Sequence, residues 1–189
     1  MTEEQTMNVT AKPLSVQYDF YLDFAIEGPE PFYDFFATLR EAGPDDLIFI
    51  HINSPGGSLS TCVQVINAIN LTQATVVGCA EGDVASAAAY IFFSCHAFQL
   101  ADHCSFLIHS DSGGFGGKIS DVSADVVFTH ARMKNLMKDT LGQFFSKKEI
   151  RKLLDGREHY LSSEEVADRI SKAMEEAQEK RGHLPHDQA

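Results

Sequence analysis

The sequence predicts one α/β domain, and two patterns indicate this fold class. Short apolar runs bounded by turn residues, typical of strands buried on both faces of a parallel sheet, recur along the chain. Between them lie segments whose apolar residues repeat at helical spacing, and such alternation is typical of α/β folds. The 189 residues are 44% hydrophobic, which is enough for one well-buried core.

The elements follow one another in a regular order. A segment with strand spacing comes first, and a helix with phenylalanines on one side comes second. Residues 157–161 follow a turn near the end of the pattern. The predicted strands are 16–26, 47–52, 75–80 and 105–108, and the predicted helices are 31–41, 60–71, 85–93, 119–140 and 147–154.

The charge balance excludes some partners. The formal net charge is −12, which repels phosphate backbones and anionic lipid heads, so we expect neither nucleic acid nor a membrane surface as a partner. No stretch approaches the ~20 apolar residues of a membrane helix. The four cysteines lie mostly in apolar runs, which favours reduced core thiols and a cytoplasmic location.

A strand followed by Asn53-Ser54-Pro55-Gly56-Gly57 is the first candidate for chemistry. It places unhindered N–H groups at the carboxyl edge of a sheet, where α/β proteins build their sites, and Gly57 could donate to an oxyanion. The alternative is an ordinary sharp turn, because Pro and Gly are common turn residues.

Three side chains form the second candidate. Ser86 opens a helix whose N-terminal dipole favours developing negative charge, although serine is also a preferred helix cap. His109 ends an apolar strand, where a general base would be both held and accessible, although a hydrogen-bonded structural histidine fits that place too. Glu158 alone is an ordinary surface carboxylate.

The combination resembles the Clp protease proteolytic subunit family over residues 47–163. The segment 53–57 resembles its oxyanion loop, and Gly82-Asp83-Val84-Ala85-Ser86-Ala87 resembles its nucleophile segment. Phe106-Leu107-Ile108-His109 is similar to the strand that carries its histidine. Tyr160-Leu161-Ser162 falls on its Phe-Leu-Ser, which puts Glu158 in the place of its catalytic aspartate.

The resemblance implies a fold and an activity. The fold would be the crotonase-like ββα superhelix with a protruding handle helix, and the subunits would form stacked homo-oligomeric rings. The activity would be serine endopeptidase cleavage of peptides or unfolded proteins inside the ring chamber, without a metal or cofactor. An ATP-driven AAA+ unfoldase is the implied partner.

The resemblance also implies site residues and domain limits. Ser86, His109 and Glu158 would form the triad, with Gly57 and Ala87 as oxyanion donors. The glycine-rich segment would bind substrate as an added strand through Gly113, Gly114 and Phe115. We expect a flexible leader over 1–15, the peptidase domain over 16–171 and a charged, partly disordered tail over 172–189.

The chain departs from the family pattern at two places. Glutamate is one methylene longer than aspartate at 158, and a charged segment replaces the usual Gly-Leu-Val-Asp ending after Ser163. These departures leave a catalytically silent ring protein, acting as scaffold or regulator, as the alternative function. An acyl-CoA enzyme of the crotonase type is a second alternative, although its chemistry has no use for a Ser-His-carboxylate set.

Three further expectations concern other segments. Cys95-His96 and His103-Cys104 do not have the spacing of a known zinc module, and the segment 113–118 lacks the residues of a phosphate loop. The helix 119–140 carries an apolar side that we expect to be buried against another subunit. That side consists of Val122, Val126, Met133 and Met137.

Overall fold

The computed structural model describes residues 14–110 and 118–182, and within them six strands form one sheet. Strands 1, 2, 3 and 5 run parallel in that order, β4 pairs in parallel with β3, and β6 closes the path antiparallel to β5. The strands are β1 (Gln17–Leu22), β2 (Leu47–Ser54), β3 (Thr75–Ala85), β4 (Ala97–Leu100), β5 (Ser105–Ile108) and β6 (His159–Ser162).

The helices pack around this sheet in the predicted alternation. A 3-10 turn over Glu30–Phe32 precedes the first helix. The helices are α1 (Tyr33–Glu41), α2 (Leu59–Leu71), α3 (Ala87–Phe93), α4 (Ile119–Leu141), α5 (Lys147–Leu154) and α6 (Ser163–Gly182). The mixed α/β class expected from the sequence is therefore observed.

Strand β3 is the central strand, and it serves two partners on one side. Its first half pairs with β4 over Val77–Ala80, and its last residues, Asp83–Ala85, pair with β5. The sequence predicts an end at residue 80 because Glu81, Gly82 and Asp83 interrupt the apolar run. The strand nevertheless runs on to Ala85, giving it a total length of 11 residues, since it has ladder partners on both sides.

Helix α3 forms the centre of the core. All seven of its residues are buried, and their small alanines let the helix lie close to the sheet. The ring of Phe93 contacts those of Phe144 and Phe145, while the ring of Phe92 contacts those of Phe98 and Phe106. The helix begins at Ala87 rather than at the predicted residue 85, because Ala85 still belongs to β3.

Strand β4 has no counterpart among the predicted elements. It is only four residues long and shows no clear alternation of buried and exposed positions. Its place is set by β3, because the His96 N–H donates to the Val76 carbonyl while the Val76 N–H donates to His96 Nδ1. The pairing is therefore tertiary information that residues 97–100 alone do not carry.

Helix α4 contradicts part of the expectation that its apolar side is buried against another subunit. Met133 is 4% exposed and Met137 is fully buried, and both pack in the core of their own chain. By contrast, residues 123–128 are all exposed. Because consecutive helical residues point in different directions around the axis, this half of the helix is not covered by the described part of the chain.

The chain ends and the cysteines bear on further expectations. Helix α6 runs unbroken across the predicted limit at 171, while 1–13 and 183–189 lie outside the described residues, so the domain limits stay predictions.

All four cysteines are buried free thiols, and burial raises the pKa of Cys62 to about 12. No helix among the described residues combines the length and apolar character needed to span a membrane.

Arg169 joins α6 to the segment between α4 and α5. Its guanidinium donates to the Phe144 carbonyl at 3.0 Å and to the Glu149 carboxylate at 2.8 Å, and it lies 4.4 Å from the centre of the Phe145 ring. Glu149 also completes a capping box with Ser146. Burial opposes ionisation of Glu149, but hydrogen bonds from Arg169 and Ser146 outweigh it and lower the pKa to about 2.

We predict that Glu149→Gln lowers the free energy of unfolding by about 1 kcal/mol at pH 7. A carboxylate whose folded pKa is depressed stabilises the fold above its unfolded pKa and loses that effect as pH falls through its folded pKa. The difference from wild type should therefore shrink as pH falls from 4.5 towards 2. Urea unfolding at several pH values measures it.

Glu176→Gln is the matched control, because Glu176 forms only an exposed pair with Lys180 at 3.8 Å. It should change the unfolding free energy little at any pH. An effect of Glu149→Gln that is independent of pH would contradict the role assigned to the carboxylate.

Candidate active site

The loop after β2 lies directly against the turn that carries Ser86. The buried Ser54 hydroxyl fixes the loop, since it donates to the Phe24 carbonyl at 2.6 Å and accepts from the Gly56 N–H at 3.1 Å. Gly56 has φ +83°, and a Cβ there would lie 2.7 Å from the Ala87 nitrogen. Only glycine fits this approach, so the two candidate segments meet because residue 56 has no side chain.

Ser86 occupies a strained position between β3 and α3. Its φ of 55° is the single positive φ of a non-glycine residue within 14–110 and 118–182. Such a conformation costs on the order of 1–3 kcal/mol and persists only when its surroundings impose it. The Ser86 N–H donates to the Leu107 carbonyl at 2.7 Å, and this bond holds the turn against β5.

The Ser86 hydroxyl does not act as a helix cap. Although Ser86 is the residue that precedes α3, its side chain accepts no hydrogen bond from the first turn. The ordinary explanation for a serine at this position therefore fails. A serine held on a sharp strand-to-helix turn, with a hydroxyl that makes no hydrogen bond to the described part of the chain, has the geometry of a nucleophile elbow.

Two main-chain N–H groups border the same space. The Ile26 N–H donates to Gly56 O, and the Ser58 N–H donates to Ile26 O, so the parallel bridge uses the groups on either side of Gly57 and leaves its own N–H out. The Ala87 N–H is the first of α3 and precedes the helical hydrogen bonds. Neither N–H has an acceptor among the described residues.

Ser86 and His109 line one open cleft of about 490 Å³, together with Gly57 and Ala87. Strands β2, β3 and β5 run parallel as neighbours in the sheet, and each ends at this edge. The structure therefore brings together four of the five residues that the sequence analysis assigns to catalysis and the oxyanion hole. No hydrogen bond joins the Ser86 hydroxyl to the His109 ring among the described atoms.

The His109 ring has one nitrogen engaged. Its Nδ1 lies 2.5 Å from the Ser110 carbonyl oxygen. A carbonyl can only accept, so Nδ1 donates in this contact, and in the neutral imidazole this tautomer leaves Nε2 without a proton. That tautomer is the one that a general base needs, because Nε2 can then take a proton from a hydroxyl.

Glu158 lies outside the cleft. It is exposed, and its carboxylate accepts a hydrogen bond from the Tyr160 hydroxyl at 2.8 Å, which raises the pKa of Tyr160. The antiparallel pairing of β5 with β6 ends at Ile108 opposite His159. One further step along that register would set Glu158 opposite His109, although their side chains make no contact in this structure.

Other site expectations have different outcomes. Gly113, Gly114 and Phe115 lie outside the described residues. The cleft includes apolar residues that the sequence analysis missed, namely Ala25, Leu59, Tyr90 and Met133. Tyr90 could have been found, because it follows Ser86 by four residues and so lies on the same side of the helix.

Among the described residues no group of three or more His, Cys, Asp or Glu side chains could hold a metal ion.

Comparison with known proteins identifies the family. Residues 32–169 match the family model described as Clp protease. The chain is 34% identical over 124 residues to an ATP-dependent Clp protease proteolytic subunit of Ostreococcus tauri, covering 63% of this chain and 60% of that protein. It is 30% identical over 132 residues to the ATP-dependent Clp protease proteolytic subunit 3 of Rhizobium etli, covering 67% of this chain and 66% of that protein.

The chain thus spans about three fifths to two thirds of the length of these relatives. The family match extends over most of the chain, from the 3-10 turn before α1 to the Arg169 contacts of α6. It includes the loop at Gly57, the strained turn at Ser86 and the strand end at His109. The chain belongs to the Clp protease family.

Proposed function

We propose that this chain is a serine endopeptidase that cleaves peptides or unfolded proteins. The observation that carries the proposal is the strained turn at Ser86. The Ser86 hydroxyl does not cap α3, and Ser86 shares a cleft with His109 and with two main-chain N–H groups. Because Ser86 does not cap the helix, capping cannot explain its strained conformation. Nucleophilic attack by the hydroxyl is the function that these neighbouring groups fit.

The chemistry follows from the atoms of the cleft. His109 Nε2 takes the Ser86 Oγ proton while Nδ1–H donates to a carbonyl or a carboxylate, and Oγ attacks the peptide carbonyl carbon. The tetrahedral intermediate collapses, the C–N bond breaks, and the imidazolium gives its proton to the leaving amine. Water then attacks the acyl-enzyme with His109 again as base, which releases the acid and restores Ser86.

Gly57 and Ala87 would stabilise the charge that develops on the substrate oxygen. Their N–H groups are fixed by backbone geometry before substrate arrives, and therefore little reorganisation accompanies the reaction. Loss of one such donor typically costs about 2.7–4 kcal/mol of transition-state stabilisation.

Glu158 is proposed as the third member of the triad. Support comes from the register of β5 with β6, which ends at Ile108 opposite His159 and would set Glu158 opposite His109 if it were extended by one residue. To act, the carboxylate would exchange the Tyr160 hydroxyl for His109 Nδ1, and Nδ1 would leave the Ser110 carbonyl. The extra methylene of glutamate gives the reach for this exchange from an exposed turn, and glutamate serves this role in other hydrolases.

Substrate binding and assembly extend the proposal. The glycine-rich segment with Gly113, Gly114 and Phe115 would pair with substrate as an added strand, so that main-chain hydrogen bonds hold many sequences. The chain would assemble into stacked homo-oligomeric rings that enclose the cleft, with α4 as the handle helix. An ATP-driven AAA+ unfoldase is the proposed partner, in keeping with the names of the relatives.

A catalytically silent ring protein is the second candidate, and particular contacts favour it. Glu158 accepts a hydrogen bond from the Tyr160 hydroxyl, and Nδ1 of His109 donates one to the Ser110 carbonyl. Ser86 has no hydrogen bond to the imidazole among the described atoms. A chain locked in this arrangement would lack an oriented base. The two candidates differ in whether purified protein hydrolyses a peptide.

We predict that Ser86→Ala and His109→Ala each abolish hydrolysis of a short fluorogenic peptide, because both residues act in one proton-coupled attack. The double variant should be no worse than either single variant, as is typical of residues that act as a unit. Initial rates at equal, folded protein concentration measure this. Residual activity close to wild type in either variant would contradict the proposal.

The carboxylate assignment makes a separate prediction. Glu158→Gln should lower kcat by roughly 10²-fold or more, because an amide cannot stabilise the imidazolium, whereas Glu158→Asp should lose only reach. Asp155→Asn is the matched control, since Asp155 ends α5 and lies out of register with His109. A large loss in the control with none in Glu158→Gln would assign the role to Asp155.

The assembly proposal predicts that Phe128→Glu reduces particle mass. Phe128 and Val127 are each 68% exposed on the uncovered half of α4, so a glutamate there leaves the subunit fold intact but puts an unpaired charge into a buried ring seam. Light scattering across a dilution series measures the mass. Met174→Glu, at a 58% exposed position of α6, is the control and should keep the wild-type mass.

A wild-type protein that is monomeric at every concentration would contradict the ring proposal.

A further inference from the structure

Tyr90 makes a hydrogen bond that core packing does not require. It is 2% exposed, and its ring lies in the core beside α3 residues that fill similar space without a hydroxyl, such as Phe92 and Phe93. Its hydroxyl donates to the His109 main-chain carbonyl at 2.8 Å. A phenylalanine would bury the same ring, so the phenol oxygen contributes something besides apolar area.

The acceptor of this bond lies at the point where the sheet stops holding the chain. The pairing of β3 with β5 ends at Ala85 opposite Leu107, and the pairing of β5 with β6 ends at Ile108 opposite His159. His109 is the first residue beyond both ladders. The Tyr90 hydroxyl therefore supplies a tertiary restraint on the backbone of His109 where strand hydrogen bonds no longer do.

The donor belongs to α3, the helix that begins directly after Ser86. Tyr90 follows Ser86 by four residues, and the Tyr90 and Ala89 N–H groups donate to the Ser86 carbonyl at 3.3 and 3.0 Å. Helix α3 thus connects the Ser86 turn to the Tyr90 hydroxyl, and the hydroxyl connects the helix to His109. Both Ser86 and His109 line the cleft, as does Tyr90 itself.

We infer that Tyr90 is a positioning residue, whose hydroxyl sets the separation of His109 from Ser86 by tying the His109 backbone to the helix that begins after Ser86. This inference rests on the proposed peptidase function. Tyr90 transfers no proton and contacts no reacting atom. Its effect is on the alignment of Nε2 with Oγ, a quantity on which proton transfer and attack depend steeply.

The test is Tyr90→Phe, which removes one oxygen and keeps the ring. With a fluorogenic peptide we expect kcat to fall roughly 10- to 100-fold with little change in KM, because the substrate cleft keeps its shape while the base is misplaced. Titration with a fluorophosphonate should still label the same fraction of chains at Ser86, only more slowly. Hydrogen exchange of the amides at 109 and 110 should become faster.

Tyr18→Phe is the matched control, because Tyr18 is a partly buried tyrosine of β1 outside the cleft. It should keep the wild-type kcat and labelling rate.

Two results would overturn the inference while leaving the proposed function intact. One is a Tyr90→Phe protein with wild-type kcat and labelling rate. The other is a parallel fall in kcat and in the labelled fraction with an unchanged rate for each labelled site, which would make the hydroxyl merely structural. A wild-type protein that neither hydrolyses peptide nor reacts at Ser86 would instead refute the proposed function, and the inference with it.

Discussion

The hydrogen bond from the Ser86 N–H to the Leu107 carbonyl is the constraint on which the site depends. It forces the chain to leave β3 through a positive φ at a residue with a side chain, and it ties that turn to the strand that leads to His109. Gly56 packs closely against the same turn, since a Cβ at residue 56 would clash with the backbone of Ala85 and Ala87. The strain at Ser86 is thus held from two directions.

The division of β3 explains how one sheet edge gathers the parts. Its first half pairs with β4 and its last residues pair with β5, so the end of β3 lies between the end of β2 and the end of β5. The loop with Gly56 and Gly57, the turn at Ser86 and His109 follow these three strand ends in turn. Parallel strands bring their carboxyl ends to one edge, where α/β proteins bind ligands. Helix α3, buried along its whole length, then fixes the direction in which Ser86 faces.

Much of this arrangement could be predicted from local patterns. The apolar run before Asn53 predicts a strand, which is observed and extends to Ser54, and the two following glycines both take positive φ values. The interactions that depend on distant residues could not be predicted in this way. Strand β4 forms because β3 provides hydrogen-bonding partners for it. Met133 and Met137 are buried because α4 packs on the core of the same chain, whereas helical spacing alone does not show whether an apolar side packs on its own chain or on another subunit. The side chain of Glu158 is a similar case, since it accepts a hydrogen bond from the Tyr160 hydroxyl, a contact that the sequence pattern does not indicate.

Covalent labelling tests whether the Ser86 hydroxyl on this strained turn is activated by His109. Wild-type protein would be treated with a fluorophosphonate, digested with a second protease and mapped by mass spectrometry, beside His109→Ala treated identically. The proposed peptidase chemistry predicts a single adduct on Ser86 in the wild type and little or none in the variant, because the hydroxyl reacts only when Nε2 accepts its proton. An unmodified Ser86 in folded wild-type protein, or equal labelling without His109, would contradict it.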